Sequence, residues 1–109
     1  MGERIIIYGK TKDRANLKLQ NILDNMLYSD VLQVKKSLND FAVTTKNGDI
    51  YKTVTASDSS RGIKWHRAYI DKDIDEYILN NIILPSSIPI IIDEDNRIEI
   101  SAKNRINWF

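Results

Sequence analysis

No cysteine occurs in the 109 residues of this chain. A disulfide scaffold, a thiolate zinc site and a cysteine nucleophile are thereby excluded. A single histidine, His66, leaves no histidine cluster for a metal. Two prolines and four glycines are few breakers, which implies mostly regular structure with short connections. No apolar run approaches the roughly 20 residues that span a bilayer, and the N-terminus reads without a signal-peptide core. Neither sign of charge dominates, with 16 Lys+Arg against 15 Asp+Glu and a net of +1. That balance argues against a uniformly basic coat for duplex DNA and against an acidic solvating tail. The expectation is a small soluble cytoplasmic protein with no membrane partner.

What is present suffices for one core. At this length a domain buries about two-thirds of its unfolded surface, and 42% of the residues are apolar. Charge is uneven along the chain: residues 1–54 carry nine basic and six acidic side chains, residues 55–109 seven and nine.

Arg4 to Tyr8 is a β-branched run closed by Gly9, which predicts a strand buried on both faces of a parallel sheet. Ala15, Leu19, Ile22, Leu23, Met26 and Leu27 then recur at helical steps and predict a helix over about Asp13–Tyr28. In the segment Ser29–Asp40, Val31, Leu32, Val34 and Leu38 fit either a short helix or an extended link. Phe41–Lys46 and Asp49–Thr55 flank Asn47-Gly48, a strong hairpin signal. A two-residue turn there pairs Lys46 with Asp49, Thr45 with Ile50 and Phe41 with Val54. It offers Phe41, Val43, Ile50 and Val54 for burial.

Ala56–Gly62 is a polar loop, and Arg67–Asp71 a strand ending in a carboxylate. Asp73 and Glu76 carry a capping-box pattern for a helix with Ile74, Tyr77, Ile78 and Ile82 on one face, stopping before Pro85. Ile88–Ile92 is an edge strand or one that begins after Pro89, with Arg97–Ser101 as its hairpin partner across an acidic turn. The predicted fold is α/β or α+β. It is one domain over residues 1–109, with a mixed sheet of about five or six strands, one Asn-Gly hairpin and two main helices.

Three motifs bear on chemistry. Gly9-Lys10-Thr11 after a strand has the ending of a phosphate-binding loop. The glycine needed five residues earlier is Arg4, however, so the amide nest is absent and Gly9 reads as a tight strand-to-helix turn. Arg67 to Asp71 has the form of a strand whose terminal aspartate holds Mg²⁺, or else caps the following helix. Arg61, Lys64, Trp65, His66 and Arg67 form a basic, aromatic-interleaved cluster. It suits single-stranded nucleic acid or a protein interface, unless Trp65 belongs to the core. Trp108 and Phe109 either fold back on the core or supply an apolar contact.

In order, these pieces resemble part of a known family. Ile5 to Ala15 is similar to the strand, turn and helix that follow the P-loop in the ATPase lobe of tailed-phage terminase large subunits. Asn47-Gly48 and Thr55 to Gly62 resemble the stretch before that lobe's Walker B strand, which Arg67–Asp71 would be, and Ile74–Pro85 the helix after it. The likeness leaves out the P-loop and the nuclease domain, and Lys72 stands where the water-activating glutamate is found. It therefore implies a shed or repurposed piece of a packaging motor, in the host cell cytoplasm if phage-encoded.

The leading expectation is a non-enzymatic binding protein, accessory or inhibitory. It would act on a protein partner or a second copy through Arg61, Lys64, Trp65, His66 and Arg67, then Trp108 and Phe109. The second is a single-stranded nucleic-acid binder that adds Lys10, Lys12 and Arg14. The third is a nucleotide or Mg²⁺ site at Asp71 completed by another subunit. No cofactor is otherwise expected, and no nucleophile–base pair assembles from these motifs.

Overall fold

A computed structural model of the chain describes residues 2–37 and 39–109; Leu38 lies outside them. The described elements are β1 (Arg4–Gly9), α1 (Lys12–Asp24), β2 (Val31–Lys36), β3 (Phe41–Thr45), β4 (Ile50–Thr55), β5 (Arg67–Ile70), α2 (Glu76–Ile78), β6 (Ile90–Asp93), β7 (Ile98–Ile100) and β8 (Ile106–Trp108). Six strands form one sheet in the order β2-β3-β4-β1-β5-β8, and β6 and β7 form a separate hairpin. β4, β1, β5 and β8 run parallel, while β3 is antiparallel to both its neighbours. The result is a single mixed α/β domain.

β1 lies at the centre, and five of its six residues are buried, as an unbroken β-branched run between parallel neighbours requires. Alternation along it divides the core in two. Ile7 packs with Ala15, Leu19, Phe41 and Val43 under α1. Ile6 and Tyr8 pack on the other face with Trp65, Ile70 and Ile83.

α1 is capped by Thr11, whose side chain accepts from the Arg14 amide. It ends at Asp24 rather than Tyr28, because the Asn25 side chain and amide take the last carbonyls. Leu27 falls off the buried stripe and is 69% exposed. The ambiguous segment after it is a short 3₁₀ turn and then the edge strand β2.

The Asn-Gly hairpin forms with a three-residue loop, Lys46 to Gly48, closed by the Thr45 amide on the Asp49 carbonyl. Only Gly48 of the pair has positive φ, 95°. A two-residue turn needs it at both positions, whereas the three-residue loop needs one left-handed residue. The register therefore shifts by one, to Ala42–Lys52, Val43–Tyr51 and Thr44–Ile50. Phe41, Val43 and Val54 are buried as expected, but Ile50 stays 45% exposed.

Asp75, not Asp73, caps the second helical segment by accepting from the Tyr77 amide. Beyond α2 the segment widens into a π-helical stretch, Leu79–Ile83, which buries Ile82 and Ile83. It continues through Pro85 in a 3₁₀ turn, Leu84–Ser86. Proline is tolerated there because first-turn amides have no helical partner. β6 begins after Pro89.

The C-terminal residues fold back as β8 beside β5. The Phe109 amide bonds the Ile70 carbonyl, and the Phe109 carbonyl accepts from Lys72. Arg105, 3% exposed, donates to the carbonyls of His66, Ile88 and Ile100 at 2.5–3.2 Å. It thereby staples the β6–β7 hairpin to the main sheet.

Candidate functional site

β1 passes from its carboxyl end to α1 on one face, and β5 passes toward α2 on the other. Adjacent parallel strands whose connections diverge leave a crevice at their carboxyl ends, the usual ligand position in open α/β sheets. Here the crevice is about 390 Å³ and is lined by Lys10, Ala56, Asp73, Ile74, Asp75 and Ile78. Gly9 ends β1 just before Lys10. A Cβ on Gly9 would lie 2.5 Å from the Thr11 carbonyl oxygen and 2.6 Å from the Ala15 amide, so only glycine admits this approach of helix to strand.

Asp71 stands behind the crevice, fully buried. Its Oδ1 accepts from Arg14 Nη2 at 2.7 Å and from the Asp73 amide at 3.0 Å, and its Oδ2 accepts from the Lys10 amide at 3.0 Å. Arg14 also donates to Asp73 at 2.8 Å, and that bond holds the Asp73 carboxyl below its ordinary range.

A Mg²⁺-nucleotide, the ligand implied for such a strand end, does not fit this donor set. The carboxylate that would take the ion faces a guanidinium. The Lys10 amide that would face a phosphate is engaged, and the Gly9 carbonyl accepts from the Ala56 amide. Among the described residues no group of three or more His, Asp and Glu side chains converges as a metal site. The arrangement can brace two connections.

The basic-aromatic run is dispersed by the fold. Trp65 is a core residue, 0% exposed, with its ring N–H on the Ile83 carbonyl at 2.8 Å. His66 Nδ1 accepts from the Arg4 amide. Arg67 pairs with Glu3 at 2.8 Å on the face that carries Tyr51 and Tyr69. Arg61 and Lys64 remain exposed, Arg61 lying 3.9 Å from Asp58 and 3.4 Å from the Tyr77 hydroxyl. Lys12 reaches the Thr53 carbonyl, so of Lys10, Lys12 and Arg14 the freest side chain is that of Lys10. Trp108 is 55% exposed at the β8 edge. Phe109 packs toward α1 beneath Lys18, whose ammonium lies 5.8 Å from its ring.

Two features escaped the sequence. Leu27, Tyr28, Leu32 and Val34, exposed at 69, 95, 65 and 44%, form an apolar rim from the end of α1 along β2. β2 is the outer strand of the sheet, bulged between Val31 and Gln33. The signal for it lay in Leu32 and Val34, in the segment whose sequence fits either a short helix or an extended link, and in Leu27 at the end of the predicted stripe. The second feature is a hollow of about 520 Å³ between Met26, Asp30, Tyr51 and the hairpin loop. Burial pushes the Tyr51 hydroxyl up there, reinforced by Tyr69, Asp49 and Glu3. Compared with protein-family models, with curated proteins and with solved structures, the chain matches none of them.

Proposed function

We propose that this chain is a binding domain without chemistry of its own, and that it docks a protein partner along the open edge at β2. The carrying observation is the apolar rim of Leu27, Tyr28, Leu32 and Val34 beside the outermost strand of the sheet, which has a strand neighbour on one side only. An extended segment of a partner adds to such an edge by main-chain hydrogen bonds, while exposed side chains select it. Lys35 and Lys36 and the bulge at Leu32 guard the edge against indiscriminate pairing, so they favour a partner segment with carboxylates opposite them. The role we propose is accessory or inhibitory.

Affinity capture from the native host tests this with three baits: the unaltered chain, L27S/L32S and R61A/K64A. The expected result is a partner lost from the first variant and retained by the second. Retention by L27S/L32S with loss from R61A/K64A would move the interface to the loop at 61–64.

A further inference from the structure

The β2–β3–β4 end of the sheet has a helix on one face only. Phe41 and Val43 lie beneath α1, so Ala42 and Thr44 turn to the opposite face. The register fixes what lies beside them. Lys35, Ala42 and Lys52 form one row, and Gln33, Thr44, Ile50 and Arg4 the next. The segment from α2 to Ser86 covers that face farther along, over Tyr8, Trp65 and Ile70, and leaves these two rows open. Arg4, Gln33, Lys35 and Lys52 are exposed, while Ala42 and Thr44 are half-buried.

The charge of these two rows is all of one sign. They contain Arg4, Lys35 and Lys52 and no carboxylate, in a chain whose acids and bases otherwise balance. Among the described residues none of the three makes an ion pair, whereas Glu3, Asp71 and Asp73 spend their charge elsewhere on Arg67 and Arg14. Strands are about 4.8 Å apart, so Lys35 and Lys52 stand about 10 Å from each other, with Arg4 one strand beyond Lys52. Ala42 and Thr44 between them are small enough to let a chain lie close to the sheet.

We propose that this face binds single-stranded nucleic acid through its phosphates. Arg4, Lys35 and Lys52 neutralise the backbone, and Gln33 and the Thr44 hydroxyl supply neutral donors. Ile50 with the planar Arg4 guanidinium offers a surface to a base. No aromatic side chain lies in these rows, so recognition rests on charge and is insensitive to sequence. The proposal shares Lys35 with the protein interface at the β2 edge but rests on the sheet face, with Arg4 and Lys52 outside that edge.

The test is fluorescence anisotropy of a labelled oligo-dT of about 15 nucleotides, near the upper site size of single-strand-binding folds, against the full chain. Three neutralised phosphates give a log–log salt slope of about −2, so affinity should fall about 20-fold between about 50 and about 200 mM salt. R4E/K35E/K52E should reduce low-salt affinity at least about tenfold and flatten the slope. R61E/K64E should leave both unchanged. Circular dichroism and a thermal melt confirm that both variants fold, as expected for exposed positions. Three results overturn the proposal: no binding at low salt, unaltered binding by R4E/K35E/K52E, or displacement of the oligonucleotide by polyglutamate at equal charge concentration. The last would identify the face as a docking surface for an acidic protein segment.

Discussion

Arg14 in the first turn of α1 and Asp71 just past β5 meet at 2.7 Å, Nη2 to Oδ1, across 57 residues of chain. The pair joins the two connections that leave the sheet in opposite directions. With the Lys10 and Asp73 amides on the same carboxylate, it turns a strand-end aspartate into a brace. A buried carboxylate keeps its charge at low cost only when such partners surround it.

Asp71→Ala should therefore destabilise the fold by about 3 kcal/mol, since it leaves two amides and a guanidinium without their acceptor. For a domain of this size that lowers Tm by on the order of 15 °C. Asp71→Asn, which keeps an acceptor oxygen, should cost less. Urea unfolding of both variants checks the order; a ligand-only role for Asp71 would leave stability unchanged or raised.

Asp73 should titrate below the ordinary aspartate value of about 3.9, because Arg14 donates to its ionised form. Its folded pKa is depressed, so the contribution of this bond is present above the unfolded value. It is lost as pH falls through the folded one. A carboxyl-carbon NMR titration reads the midpoint, and in Arg14→Met that midpoint should rise. A midpoint at the ordinary value in the unaltered chain would contradict the geometry.

Arg105→Met should cost about 2–4 kcal/mol, since carbonyls of Ile88, Ile100 and His66 lose a charged donor inside the protein. Burial already pulls the Arg105 pKa down, yet a guanidinium stays charged throughout the working range. Hydrogen exchange should quicken first in β6 and β7, the hairpin that Arg105 holds. Uniform quickening across β1 would contradict the staple.

Gly9→Ala should destabilise by about 3 kcal/mol, because the added carbon meets backbone of Thr11 and Ala15 rather than a movable side chain. Gly62→Ala is the control: no atom lies within 4 Å of its Cβ, and only its φ of 84° opposes the change. Its cost should be about 1 kcal/mol, roughly the left-handed penalty of a non-glycine residue. Equal losses at the two positions, read by chemical denaturation, would refute the close approach.

Local chemistry made much of this fold legible. The β-branched run at Ile5 to Ile7, the period of Ala15 and Leu19 and the Asn47-Gly48 pair each carry their structure within a few residues. What the sequence left open or placed differently depended on distant partners. Trp65 stands between Lys64 and His66 like a surface anchor, and only the Ile83 carbonyl and the core around Tyr8 turn it inward. Asp73 resembled a cap until Arg14, 59 residues away, claimed it. The hairpin register turned on the φ of one residue, which sent Ile50 outward beside Arg4. The cationic face was invisible for the same reason, since Arg4, Lys35 and Lys52 become neighbours only through strand pairing.

Hydrogen exchange on the complex with a captured partner tests the protein-binding reading most directly. Slowed exchange of the β2 amides from Val31 to Lys36, with residues 61–67 unaffected, is the predicted result. Protection confined to residues 61–67, with β2 exchanging as in the free chain, would contradict it.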